Sequence, residues 1–188
     1  MEELNHSNPQ TFTYKFRGNT YTFISDAGVF SVGKMDKATE ILLQNIPALN
    51  GSLLDMGCGY GCIGIILAKE NNLKLSQADI NPRAIKLSQL NAANNNIQTQ
   101  VIQSDHFSQI KENFNTITLN PPIHAGKNLI FTMYEESYRH LLPGGSLYIV
   151  IQKKHGAESS IKRLNEIFGN CEILYKKKGY YILRANMS

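Results

Sequence analysis

The sequence predicts an α/β fold: a doubly wound, mostly parallel seven-stranded sheet with an antiparallel last strand, preceded by an N-terminal β-hairpin. Three observations lead there. From residue 36 onward, apolar β-rich runs alternate with segments of helical periodicity, the pattern of strands joined through crossover helices. The stretch Leu53-Leu54-Asp55-Met56-Gly57-Cys58-Gly59-Tyr60-Gly61-Cys62-Ile63-Gly64 joins an apolar run ending in an acid to a helix face (Ile63, Ile66, Leu67) through a glycine-dense turn. The last two β-rich runs, 171–175 and 180–184, are separated by too few residues for a crossover, so they pair antiparallel.

In chain order, 11–16 and 21–24 alternate polar and apolar residues around Arg17-Gly18-Asn19-Thr20, a hairpin signal. A loop follows whose centre, Val29-Phe30, is apolar; it either folds onto the core or covers a ligand. Asp36 is placed as the N-cap of a helix with face Ala38, Ile41, Leu42 and Ile46. After the central strand and helix, 73–79 reads as a strand ending in Asp79, and Asn81-Pro82 as an N-cap with proline at the first helical position. The face of that helix reads as Ala84, Ile85, Leu87, Leu90 and Ala93, and it stops at Asn94-Asn95-Asn96. Strands at 98–103 and 114–119 lead into Ser104-Asp105-His106-Phe107 and Asn120-Pro121-Pro122-Ile123-His124. A helix over about 128–140 meets the stop signal Leu142-Pro143-Gly144-Gly145; a strand at 146–152 and a helix over 157–168 complete the core. The chain reads as one domain, with 1–35 as hairpin and covering loop and 36–188 as the core.

Composition narrows the class. At 188 residues, with 42% hydrophobic and 18% charged residues, the chain suits one ordinary soluble core. No apolar run approaches the ~20 residues of a membrane span. The polar, acidic N-terminus is no signal peptide, so the expected location is cytoplasmic, with no membrane partner. Cys58, Cys62 and Cys171 make neither a disulfide framework nor a zinc pattern; they read as small buried thiols, and no metal is expected. A net charge of +4 hints at an anionic partner.

In such sheets ligands bind beyond the carboxyl ends of the strands. The glycine turn, Asp79, Asp105 and 120–124 all fall there. Glycines admit a ligand against bare main chain, and the helix behind them offers unpaired N–H groups. Gly59-x-Gly61-x-x-Gly64 also satisfies the dinucleotide pattern, so a nicotinamide or flavin enzyme is one reading. Asp79 is spaced to take a ribose diol or to cap the next helix. Asp105 can accept from an adenine amino group, or serve as an N-cap. Two prolines cannot continue a strand ladder and hold a stiff extended turn. The Asn120 side-chain oxygen and the Pro121 carbonyl then form two fixed acceptors, which can grip both hydrogens of an exocyclic amine and orient its lone pair.

Together, Asp55-Met56-Gly57-Cys58-Gly59, Asp79, Asp105 and Asn120-Pro121-Pro122-Ile123 resemble class I S-adenosylmethionine-dependent methyltransferases that modify planar amino groups. Asp26-Ala27-Gly28-Val29-Phe30-Ser31 and the extension through His124-Ala125-Gly126-Lys127 are similar to the ribosomal RNA guanine-N2 methyltransferases of the RsmC type, over nearly the whole chain. The resemblance implies a Rossmann-like methyltransferase fold and S-adenosyl-L-methionine as cofactor. It places Gly57, Cys58 and Gly59 against the methionine part, with Asp55 near its amino group. It places Asp79 and Ile80 at the ribose and adenosine, and Asp105 with the His106 backbone at adenine. Asn120, Pro121, Pro122 and His124 are implied as catalytic, the first two holding the amine in line with the methyl, and Asn120 is implied as a cofactor contact as well. Ile123 stands where many amino-methyltransferases carry an aromatic residue to stack on the base. Larger RsmC-type members carry an additional N-terminal domain for which these residues have no counterpart.

His124 is a candidate for base or phosphate contact, for proton relay, or for bonding within its own loop. Phe30 and Ser31 are placed to close over the ligand. Lys127, Lys153 and Lys154 follow the strand ends, and Lys176-Lys177-Lys178 form the last hairpin turn, on the same edge if its first strand is parallel to the main sheet. These lysines engage RNA phosphates or are simply solvated. The expected function is methylation of an exocyclic amine of RNA, guanine N2 of ribosomal RNA, by a monomer acting on RNA or a ribosomal subunit. The alternatives are a protein glutamine N5-methyltransferase, which the same acceptor pair suits, and a non-catalytic cofactor-binding module.

Overall fold

The computed structural model describes residues 6–188 apart from Phe30, Ser31 and Ile123. β1 (Gln10–Phe16) and β2 (Asn19–Ser25) form the expected antiparallel hairpin. The rest alternates: α1 (Lys37–Asn45), β3 (Ser52–Met56), α2 (Cys62–Asn71), β4 (Lys74–Asp79), α3 (Pro82–Asn94), β5 (Thr99–Gln103), β6 (Phe114–Leu119), α4 (Lys127–Arg139), β7 (Leu141–Gln152), α5 (Ala157–Phe168), β8 (Glu172–Lys177) and β9 (Tyr180–Asn186). The seven core strands lie in the order β5-β4-β3-β6-β7-β9-β8. β9 is antiparallel to both neighbours, so β8 runs with the parallel strands. The chain builds outward from β3 through β5, then returns to the other side of β3 at β6. The switch point therefore lies between β3 and β6, where ligands collect in open α/β sheets.

Strand parity divides the core. Leu53, Tyr148 and Val150 face α1–α3 and the hairpin; Leu54, Met56, Leu119, Ile149 and Ile151 face α4 and α5. Asp55 therefore shares the α2 face with Leu53. The expected caps form: Asp36 accepts from the Thr39 N–H at 3.0 Å, and Asn81 from the Arg83 N–H at 3.0 Å.

Two expectations need correction. β7 begins at Leu141 rather than at 146, because Pro143-Gly144-Gly145 bulges within the strand instead of preceding it. Gly145 permits this: a Cβ there would lie 2.8 Å from the carbonyl oxygens of Asn115 and Leu142. The buried face of α3 is Ala84, Leu87, Ser88, Asn91 and Ala92, whereas Leu90 and Ala93 are exposed.

The polar residues on that face dock the hairpin. Asn91 accepts from the Ile24 N–H at 2.8 Å and donates to the Ile24 and Tyr60 carbonyls at 2.9 and 2.8 Å. Asn95 accepts from the Thr22 N–H at 3.1 Å and donates to the Thr22 carbonyl at 2.9 Å. Two carboxamides one helical turn apart thus replace the missing neighbour strand of β2, whose edge would otherwise bury unpaired backbone. Asn91→Leu should destabilise the fold by roughly 2–4 kcal/mol, since it leaves buried Ile24 and Tyr60 groups unpaired. Urea denaturation reads this, and a loss below about 0.5 kcal/mol would contradict the docking role.

Candidate active site

Beyond the carboxyl ends of β3, β4, β6 and β7 lies a cavity of about 550 Å³, within the range of small-molecule sites. Gly57, Cys58, Gly59, Asp79, Ile80, His106, Asn120, Pro121, Pro122 and His124 all line it, so most of the sequence-derived candidates converge on one space.

The β3–β4 wall is held by backbone geometry. Gly57 and Gly59 have φ of +70° and +56°, in the left-handed region that favours glycine. Nothing lies within 4 Å of where a Gly57 Cβ would stand, so bare main chain faces open space. The Gly57 and Cys58 N–H groups donate to the Ala78 carbonyl at 2.8 and 2.9 Å. Gly59 N–H donates to Asp79 Oδ2 at 2.9 Å, and Asn81 N–H to Asp79 Oδ1 at 2.9 Å. Each Asp79 oxygen keeps a further acceptor site for a ligand hydroxyl. From α3, Ser88 Oγ donates to the Gly59 carbonyl at 2.9 Å and lies 3.3 Å from Cys58 Sγ.

Two of the expected residues, Asp55 and Asp105, fall outside the lining of this cavity. Asp55 does not line the cavity. It is 2% exposed and turned toward α2, where its carboxylate accepts from Gly64 N–H at 2.9 Å, Gln77 Nε2 at 3.4 Å and Thr118 Oγ1 at 3.4 Å. Strand alternation puts it there, and it supplies the negative charge that the α2 N-terminus favours. The negative charge it already places at the α2 N-terminus disfavours a pyrophosphate there, which speaks against the nicotinamide reading. Asp105 is also outside the cavity, its carboxylate exposed and 2.8 Å from His106 Nδ1. At this strand end the cavity is lined by Ser104 and His106; Ser104 Oγ donates to the His106 carbonyl at 2.7 Å and fixes that turn.

Asn120, Pro121 and Pro122 lie at the switch point on the end of β6. The Asn120 carboxamide has no partner among the described residues, and neither does the His124 imidazole, exposed at the rim. Pairing of β6 with β7 brings Gln152 and His155 to the same end of the cavity; His155 follows the strand on the expected ligand-bearing edge, whereas Gln152 has no signal in the sequence. Val29 does both things expected of its loop, packing into the core at 5% exposure and lining the cavity. The loop is anchored by Asp26, which accepts from Ser7 Oγ at 2.7 Å and from the Asn8 N–H at 2.6 Å. Arg83 Nη1 donates to the Ala27 carbonyl. The Ser7 hydroxyl, then the backbone N–H groups of Asn8 and Ala27 and the Arg83 charge, hold the Asp26 carboxyl below its ordinary pKa. Lys127, Lys153 and Lys154 are exposed outside the cavity, Lys127 with its Nζ 5.5 Å from the Phe131 ring centroid. Phe30, Ser31 and Ile123 lie outside the described residues. No group of metal-ligating side chains occurs among the described residues.

The strand order β5-β4-β3-β6-β7-β9-β8, with β9 antiparallel and helices on both faces, matches the Rossmann-like methyltransferase architecture. The profile of the methyltransferase small domain family matches residues 20–184. The protein YbxB of Bacillus subtilis is 43% identical over 185 residues, covering 95% of this chain and 92% of that one. A ribosomal RNA small subunit methyltransferase C of Vibrio cholerae is 34% identical, covering 94% of this chain and 52% of that protein. The structure of the T. thermophilus 16S rRNA N2 G1207 methyltransferase RsmC, in complex with AdoMet and guanosine, superposes with a TM-score of 0.86 at 25% identity, over 97% of this chain and 52% of that one. The chain belongs to the methyltransferase small domain family, with RsmC-type enzymes among its relatives in sequence and fold. It spans about half the length of those RsmC relatives.

The Asp55 contacts make two expectations measurable. Burial pushes the Asp55 carboxyl up to about 6, against hydrogen bonds from Gly64, Gln77 and Thr118 that favour its charged form. An acid with a raised folded-state pKa loses stability as pH rises, because the unfolded chain ionises first. Asp55 should therefore carry no penalty below pH ~4 and a full one, roughly 3 kcal/mol, above pH ~6. Carbon-13 carboxyl shifts should show one aspartate titrating near 6, absent in Asp55→Asn; titration near 4 would refute the burial account. Separately, Gly64→Ala should destabilise the protein despite alanine's helix propensity advantage of about 1 kcal/mol. Its Cβ would stand 2.8 Å from Gln77 Nε2, 2.9 Å from Leu75 Cδ1 and 3.0 Å from Asp55 Oδ2. A rise in melting temperature would exclude this close packing.

Proposed function

We propose that this protein transfers a methyl group from S-adenosylmethionine to an exocyclic amine of RNA, the N2 of a guanine in ribosomal RNA. The observation that carries the reading is the unpartnered Asn120 carboxamide, set in the Asn120-Pro121-Pro122 turn inside the switch-point cavity. The residues present suit the cofactor: bare backbone at Gly57, a carboxylate at Asp79, and Ile80, 59% exposed, beside the turn of Ser104 and His106. The 57–59 backbone would lie along the methionine part, Asp79 would accept from ribose hydroxyls, and Ile80 would pack on the adenosine. When bound, the cofactor supplies an electrophilic methyl group on a positively charged sulfur.

The chain's own residues do the rest by orientation. Asn120 Oδ1 and the Pro121 carbonyl accept the two amine hydrogens, which turns the nitrogen lone pair out of conjugation with the ring. Proline at 121 and 122 stiffens the backbone that carries both acceptors before the amine arrives, because neither φ angle is free to turn and each proline restricts the residue before it. His124 stands at the rim to take the proton that the amine must release. Lys127, Lys153 and Lys154 hold phosphates of the target strand. A target base stacked in a helix cannot reach the cavity, so a loop, an end or a partly assembled particle is the substrate. The protein acts as a cytoplasmic monomer in which 36–188 form the core and 1–35 the hairpin and covering loop. The names of the RsmC relatives and the exposed lysines support RNA over a protein glutamine.

The test supplies radiolabelled S-adenosylmethionine with naked ribosomal RNA, small ribosomal subunits and a protein extract as separate acceptors. Label should enter RNA as N2-methylguanosine. Asn120→Ala should lower kcat by about 10²–10³ while leaving cofactor affinity nearly intact. Asp79→Ala should instead weaken cofactor binding by about 10–100-fold. Label confined to protein would overturn the RNA assignment.

A further inference from the structure

β8 runs parallel to the core strands, so the turn between β8 and β9 falls on the cavity edge of the sheet. It meets the chain leaving β7 there: Lys153 N–H donates to the Gly179 carbonyl at 2.8 Å. Two basic segments distant in sequence thus form one surface, with Lys153 and Lys154 on a 3-10 turn, Lys177 at the end of β8 and Lys178 in the hairpin turn, where the sequence reading places all of 176–178. All four side chains are exposed, and none has an ion-pair partner among the described residues. The carboxylate on α5 beside them, Glu158, accepts from Tyr181 Oη at 2.7 Å. Lys176 is different, since its Nζ lies 5.2 Å from the Tyr181 ring centroid.

The backbone adds a second observation. Lys178 and Gly179 have φ of +51° and +81°, the two-residue turn in which asparagine and glycine are the favoured pair. Lysine is costlier than asparagine in that conformation, so the turn's own geometry does not account for it. Arg17 occupies the equivalent place in the N-terminal hairpin, but its guanidinium lies 4.8 Å from the Phe16 ring centroid. Lys178 has no such neighbour.

We infer that Lys153, Lys154, Lys177 and Lys178 form a single phosphate-binding ledge that docks the RNA strand beside the cavity. The inference rests on the RNA reading above and extends it to the hairpin turn. The occupant is a nucleic acid backbone because the ledge offers uncompensated ammonium groups with no apolar centre for a protein partner. Gln152 and His155 line the cavity and lead directly into the ledge, so a strand lying on the ledge passes the cavity mouth. β8 is three strands from β6, about 14 Å at ordinary strand spacing, so the hairpin lysines reach phosphates a few nucleotides from the target base.

The test compares wild type with Lys177→Gln/Lys178→Asn, where asparagine suits the left-handed position, and with Lys86→Gln/Lys162→Gln, which removes equal charge elsewhere. Fluorescence anisotropy with a fluorescein-labelled fragment of small-subunit ribosomal RNA is measured across salt, beside melting temperature and cofactor affinity as checks of folding. The ledge variant should reduce the slope of log affinity against log salt by about 1.4, at ~0.7 per phosphate. It should raise KM for RNA on the order of tenfold with kcat at saturation retained, and Lys177→Arg/Lys178→Arg should behave as wild type. An unchanged slope, or an equal change in the control variant, overturns the ledge even if wild type methylates RNA. A ledge-dependent slope in a protein that labels only the protein extract keeps the ledge and overturns the methylation reading instead.

Discussion

The cavity depends on one buried carboxylate. Asp55, Gln77 and Thr118 lie side by side on three adjacent strands, on the face beneath α2. Asp55 binds the Gly64 N–H, and Gln77 Nε2 donates to the Gly61 carbonyl at 3.1 Å, so the first turn of α2 is fixed to the sheet at two points. Charge burial is costly, and this one is met by three donors and a helix N-terminus. In return the glycine turn between β3 and α2 has both ends held. Gly64 makes the contact possible, because any side chain there would strike the polar row.

From that fixed point the site is assembled outward through further satisfied polar contacts. Ser88 and Asn91 on α3 bind the carbonyls of Gly59 and Tyr60, so the helix that packs over β4 also shapes the turn after β3. The same Asn91, with Asn95, binds the open edge of β2 and brings the hairpin onto the core. The hairpin is thereby part of the site, because the chain leaving β2 carries Gly28 and Val29 into the cavity wall. Asn81 Nδ2 reaches the Gly28 carbonyl at 3.3 Å, a weak contact beside the shorter Asp26 hydrogen bonds that anchor the loop.

The architecture was legible because its signals are local. Alternating periodicity, the Asn81-Pro82 start, the glycine turn and the short final connection each act within a few residues. Site residues at strand ends were legible for the same reason. What escaped was set by side-chain direction and by pairing at a distance. Asp55 and Asp79 read alike and share one face of the sheet, but Asp55 pairs with Gln77 inside the strand and lies under α2, while Asp79 stands two residues further along, at the end of β4, and lines the cavity. Asn95 reads as part of the Asn94-Asn95-Asn96 helix stop and Asn91 carries no signal; their burial follows only once the hairpin, some 70 residues earlier, is brought against them. The excursion over 142–145 in β7 was hidden because Pro-Gly-Gly signals a stop equally well outside a strand or within one.

The two halves of the cavity differ in a way that matters for catalysis. On the β3–β4 side the polar groups of the wall are paired: Gly57, Cys58 and Gly59 through their N–H groups, and Asp79 through both oxygens. That wall is rigid before any ligand arrives, as tight binding of a single conformer requires. On the β6–β7 side Asn120 and His124 have no partner among the described residues, and the backbone that carries the Asn120 carboxamide is stiffened by two prolines rather than by side-chain hydrogen bonds. A group meant to accept from a transient substrate cannot be satisfied internally without losing that capacity. Preorganisation there has to come from covalent restriction, and consecutive prolines supply it without using an acceptor.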